Sequence, residues 1–85
     1  MYVNFKKIKI VDINGKQQEA DFSQQLGNQL YMTGRDIEAC ELGKRIYFAK
    51  GEMELSDKDI QTITQVVTGW GYVARNAIIE AMKEK

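Results

Sequence analysis

The spacing of apolar and polar positions changes period along this chain. From Tyr2 to Ile13 β-branched and aromatic residues dominate, and Lys6, Ile8 and Ile10 alternate with Lys7, Lys9 and Val11, the two-residue period of a strand. Asn14-Gly15 follows, a pair suited to the positive φ angles of a type I′ turn, so the spacing predicts a β-hairpin with a two-residue loop. That turn sets Asp12 opposite Gln17, Val11 opposite Gln18 and Ile10 opposite Glu19. The returning strand, Lys16 to Ala20, is polar and reads as an edge strand.

Beyond residue 20 the period becomes helical. Asp21 or Ser23 is placed to cap a first helix in which Phe22, Leu26 and Leu30 share one face, and Gly34 ends it. Gly27 lies inside this helix at a cost of about 1 kcal/mol relative to alanine, and a close helix contact is one reason for it to be there. Asp36 to Phe48 reads as a second helix, with Ala39, Leu42, Ile46 and Ala49 on one stripe. Arg45 to Ala49 is also rich in strand formers, and with Lys50-Gly51 as a turn it would form a wing with Glu52 to Leu55. The helical period starts well before Ile46 and favours the helix.

Met53 and Leu55 alternate with Glu52 and Glu54, which makes residues 52–55 a candidate third strand for the N-terminal hairpin. Ser56, with Asp57 and Asp59 after it, opens the clearest helix, on which Ile60, Ile63 and Val67 form a stripe that Trp70 continues. Gly69 and Gly71 then interrupt the pattern. A last helix runs from Tyr72 to about Lys83 with Val73, Ala74, Ala77, Ile78, Ala81 and Met82 on its stripe, leaving Tyr72 and Ile79 on another face. No internal repeat, linker or low-complexity tract is apparent. The expected fold is therefore one α+β domain over residues 1–85, a β-hairpin packed with about four α-helices.

Composition narrows the function. With 44% hydrophobic and 28% charged residues the chain is made to fold. At 85 residues it buries only about 60–65% of its unfolded surface, so self-association is an attractive way to cover apolar area. Twelve basic and twelve acidic residues balance, which makes nucleic acid an unlikely partner and gives no attraction to an anionic membrane. Histidine is absent, removing the commonest general base and the commonest zinc ligand, so the expectation is a protein that is not an enzyme and holds no cofactor or metal. Cys40 is the only cysteine and forms no internal disulfide, and no apolar run approaches the length of a membrane span, so the expected location is the cytoplasm.

The carboxylates Glu52, Glu54, Asp57 and Asp59 match no calcium loop and read as a solvated strand edge with a helix cap. Cys40, with no base to activate it, reads as a small apolar residue, and Ser23 and Ser56 read as caps. Gly69-Trp70-Gly71-Tyr72 with Arg75 is the one constellation with a functional alternative. Free N–H groups at Gly71, stacking rings at Trp70 and Tyr72 and the Arg75 guanidinium would suit a nucleotide or another anionic metabolite, whereas the position of Trp70 on the helix stripe marks it as core. Trp70, Gly71, Tyr72, Arg75 and Ile79 are thus the candidate contacts for a ligand or partner.

Leu42-Gly43-Lys44-Arg45-Ile46-Tyr47 followed by Gly51-Glu52-Met53-Glu54-Leu55-Ser56-Asp57 resembles small accessory proteins of bacterial prophages and other mobile elements. The resemblance covers the central third, carries no catalytic motif and implies a bacterial or phage setting, in which such proteins commonly bind a host protein or sequester a small molecule. The leading expectation is a small non-catalytic interaction module, binding itself as a dimer or higher oligomer, or a host protein. Small-ligand binding near Trp70 is the second reading. A winged-helix regulator is third, and it lacks a basic recognition helix, since the last helix offers only Arg75, Lys83 and Lys85.

Overall fold

A computed structural model describes residues 1–83, and Lys85 of the winged-helix reading lies outside them. The elements in chain order are β1 (Tyr2–Val3), β2 (Ile8–Val11), β3 (Gln17–Ala20), α1 (Ser23–Thr33), α2 (Ile37–Phe48), β4 (Met53–Glu54), α3 (Asp57–Val67) and α4 (Tyr72–Lys83). This is an α+β fold with the expected N-terminal hairpin and four helices.

The first strand is not continuous. Asn4 folds the chain into a turn, its carbonyl accepting from the Lys7 N–H at 3.1 Å and its side-chain oxygen from the Lys6 N–H at 3.0 Å. Short polar side chains that satisfy the backbone locally compete with a ladder in this way. The turn drives Phe5 into the core and shifts the buried positions from Val3 and Phe5 to Ile8, a change of parity that splits the expected strand in two.

Within residues 52–55 only Met53–Glu54 forms a strand, and it does not join the hairpin. Met53–Glu54 pairs antiparallel with Tyr2–Val3, Tyr2 opposite Glu54 and Val3 opposite Met53, while β2 pairs with β3 in a separate sheet. The hairpin register also differs by one residue from the expected one. Val11 lies opposite Gln17 and Ile10 opposite Gln18, because the loop is Ile13-Asn14-Gly15 and Asp12 N–H donates to the Lys16 carbonyl at 3.0 Å. The Asp12 carboxylate accepts from the N–H groups of Asn14 and Lys16, both at 2.9 Å, and only Gly15 takes a positive φ, +82°. A type I turn closed by a left-handed glycine needs one residue more than the type I′ turn, and the pairing slips accordingly.

The helices follow the sequence closely. Asp36 caps α2 by accepting from the Ala39 N–H, and Ala39, Leu42 and Ile46 are buried, so residues 45–48 are helix and not a wing. Ser56 and Asp59 form a reciprocal capping box on α3, and Ile63 and Val67 of its stripe are fully buried. At α1 the expected cap is redistributed. Phe22 holds the cap position, Ser23 is the first helical residue, and the Asp21 carboxylate accepts from both its N–H at 2.9 Å and its hydroxyl at 2.6 Å. On α4, Ile78 and Met82 are buried, but Val73, expected on the stripe, is exposed because it precedes Ile78 by five residues and so stands about 140° around the helix from it.

One apolar core joins Val3, Phe5 and Ile8 from the strands to Leu26, Leu30, Leu42, Ile46, Ile63, Val67, Ile78 and Met82 from the helices. Arg45 ties α2 to the segment that follows, donating to the Glu54 carbonyl at 3.0 Å and pairing with Asp59 at 3.6 Å. No helix among the described residues is long and apolar enough to cross a membrane.

Candidate interaction surface

Of the five residues singled out from the sequence, Tyr72, Gly71 and Arg75 contact one another at the start of α4, while Trp70 and Ile79 pack toward the core. Trp70 is half-buried against the core with its ring 6.1 Å from that of Phe22, consistent with its place on the α3 stripe. Tyr72 faces outward, 68% exposed, and carries the Arg75 guanidinium over its ring at 5.5 Å. Gly71 is exposed, and its carbonyl accepts from the Arg75 N–H as the first helical bond of α4. Ile79, expected to be a spare apolar contact, is half-buried and packs on the core. It follows Ile78 by about 100° around the helix, which places it on the flank of the buried stripe.

A different surface concentrates apolar area. Five of the large hydrophobic side chains that remain exposed, Tyr31, Met32, Ile37, Tyr47 and Phe48, lie on α1 and α2. These two helices are antiparallel neighbours, since Gly27 meets Gly43, the Cys40 thiol donates to the Tyr31 carbonyl, and Gly34 lies against Ala39. Their crossing is built on bare backbone. A Cβ added to Gly27 would stand 2.7 Å from the Gly43 carbonyl oxygen and 2.8 Å from the Tyr47 nitrogen; one added to Gly43 would stand 2.6 Å from the Gly27 oxygen and 2.8 Å from the Tyr31 nitrogen. Only glycine permits this approach.

The contacts are reciprocal because the sequence is. Leu26-Gly27-Asn28-Gln29-Leu30-Tyr31-Met32 and Leu42-Gly43-Lys44-Arg45-Ile46-Tyr47-Phe48 are two copies of one pattern, Leu-Gly-x-x-Leu/Ile-Tyr-Met/Phe, sixteen residues apart. The expectation of a chain without internal repeats is corrected here: a seven-residue repeat on two helices is shorter than the periods that mark repeat architectures. A half-turn through the Gly27–Gly43 crossing exchanges the helices. It puts Leu26, Leu30, Leu42 and Ile46 on the inner face and both tyrosines on the outer one.

On that outer face Gly27 and Gly43 form the floor of a groove of about 340 Å³, walled by Asn28, Tyr31, Lys44, Tyr47 and Phe48. The Tyr47 and Phe48 rings meet edge to face with centroids 4.9 Å apart, which stiffens one wall. Met32 and Phe48, equivalent in the repeat, are 71% and 73% exposed. Lys44 pairs with Glu41 at 3.6 Å at the solvent edge. Packing of the core requires the glycines and the inner leucines of the repeat. It does not require the outer tyrosines or the large apolar residues beside them. The sequence signal was Gly-x-x-x-Tyr in both helices, which places a ring one turn beyond each crossing glycine.

A larger groove of about 670 Å³ between the α1–α2 turn and α3 is lined mostly by polar groups, among them Gln29, Arg35, Asp36 and Gln65. Among the described residues no group of three or more His, Cys, Asp or Glu side chains comes together to hold a metal ion. Asp59 is engaged in the α3 cap and with Arg45, as the cap reading of that acidic cluster expected. No protein-family model, curated protein or solved structure matches the chain.

Proposed function

We propose that this is a small, non-catalytic, cytoplasmic interaction module that holds a protein partner against the outer face of the α1–α2 hairpin. The observation that carries the reading is the glycine-floored groove with Tyr31, Tyr47 and Phe48 standing around it. Aromatic side chains in a recess are the usual anchors of protein interfaces, because they cover much area at small cost in side-chain entropy. The absence of histidine and the placing of the sole cysteine against the Tyr31 carbonyl support a role in binding over one in catalysis. A ligand site at Trp70, Gly71, Tyr72 and Arg75 has less support, since Trp70 packs on Phe22 while Tyr72 and Arg75 occupy each other.

A photo-crosslinking amino acid placed at Tyr31 or at Phe48 in living cells tests this reading for any protein partner, another copy included. The expected result is a discrete protein adduct from both positions and none from Ile13 or Tyr72, which are exposed elsewhere. Adducts of equal yield from all four positions, or none from Tyr31 and Phe48, would refute it.

A further inference from the structure

We propose that the partner on this face is a second copy of the chain, the two hairpins packed face to face about a two-fold axis to form a two-layered four-helix bundle; this rests on the outer face being the interaction surface. A two-fold interface uses the same patch on both partners, so the patch must hold both a protrusion and a recess. This face holds both. Phe48 and Met32 project at opposite ends, and the glycine-floored groove lies between them.

The repeat adds a local half-turn normal to the face, so a second hairpin meets the same pattern of tyrosine, glycine and large apolar residue in either direction. Charge is self-complementary as well. Glu41 and Lys44 lie together on α2, so copies related by a two-fold axis bring opposite signs within reach of one another, and the chain has no net charge to oppose association.

Area sets the strength. Helices of 11 and 12 residues are roughly 17 Å long, and a pair presents a face about 18 Å wide. Side-chain relief raises the accessible area above the projected roughly 300 Å², toward but not beyond the ~800 Å² per partner of a standard interface. The dimer is therefore reversible.

Sedimentation velocity of the purified chain from low micromolar to millimolar concentration tests the proposal. The mass is expected to rise from 9.8 kDa toward roughly twice that value. Ile13→Glu, on the exposed hairpin tip, should behave as the parent chain, whereas Phe48→Glu and Met32→Glu, each at an exposed position and each checked for native helicity, should remain monomeric. A parent chain that stays monomeric at millimolar concentration overturns the second copy as partner, and leaves the crosslinking experiment to judge the face itself. A dimer that both glutamate variants keep overturns the placement on this face.

Discussion

Gly43→Ala distinguishes a helix crossing that depends on glycine from one that merely contains it. By helix propensity alone, alanine at a helix interior is better than glycine by about 1 kcal/mol, so the naive expectation is stabilisation. The structure reverses the sign. The new Cβ stands 2.6 Å from the Gly27 carbonyl oxygen, where ordinary contact begins at 3.4 Å, so α1 and α2 must separate by 0.8 Å. The obstacle is backbone on two sides, the Gly27 oxygen and the Tyr31 nitrogen, and not a flexible side-chain tip. A gap of that size forfeits a quarter to a half of the dispersion energy of each contact across it, and Leu26, Leu30, Leu42 and Ile46 all pack at this seam. Overpacking of this kind costs up to about 3 kcal/mol, which after the propensity gain leaves a loss of about 2 kcal/mol. For a domain this small that lowers Tm by roughly 8–16 °C. Thermal unfolding followed by far-UV circular dichroism reads the effect, with Gly51→Ala as the control, since a Cβ there meets nothing within 4 Å and no positive φ is involved. Gly51→Ala, in the loop before β4, is expected to be neutral or stabilising by about 0.5–1 kcal/mol. The double variant Gly27→Ala/Gly43→Ala should cost less than the two single losses together, because one separation relieves both clashes. A Gly43→Ala protein as stable as the parent would refute the close crossing.

Trp70→Ala removes a half-buried ring packed beside Phe22 and should cost about 2 kcal/mol in urea unfolding, less than a fully buried tryptophan, with Trp70 emission in the parent blue-shifted and moving red on unfolding; an emission maximum already at the unfolded value would contradict the packing. Ser56→Ala breaks the α3 capping box and should cost about 1 kcal/mol by the same assay, and no loss would show that the box contributes nothing. Hydrogen bonds from the Ser23 hydroxyl and N–H, with the nearby Lys6 ammonium, hold the Asp21 carboxyl below its ordinary range. Its folded pKa is thus lower than its unfolded one, so its contribution is complete above about pH 4 and is lost as pH falls through the folded value. The stability advantage of the parent over Asp21→Asn should accordingly shrink below about pH 4, and an advantage that is unchanged with acidification would rule out this linkage.

Legibility depended on how far apart the deciding groups lie in the chain. Asp36 and Ser56 announce their helices because a cap is made within three residues, and the stripes of α2 and α3 emerge because neighbouring turns bury the same face. The hairpin loop is set locally as well, but Asn14-Gly15 alone points to a two-residue turn, whereas the Asp12 carboxylate, by accepting from the Asn14 and Lys16 N–H groups, holds a three-residue one. Ile79 was misplaced because a stripe drawn as a line has no width, whereas a helix packed on a core half-buries the residues on either flank. The outer face of α1 and α2 was not legible for a related reason. Trp70 stands out by rarity, which is a property of composition, while the outer tyrosines of α1 and α2 gain meaning only once both glycines are seen to face each other.

By itself, then, the sequence determined the class of the fold, the extents of its helices, the polar edge strand and the removal of histidine-based chemistry, all of them set by local hydrogen bonding, periodicity or composition. Tertiary structure alone decided that Met53–Glu54 pairs with Tyr2–Val3 rather than with the hairpin, and that Gly27 and Gly43 meet to open a groove under Tyr31, Tyr47 and Phe48. Strand partners and helix crossings join residues distant in the chain, and their choice rests on which combination closes a single core, a condition that no window of neighbouring residues contains.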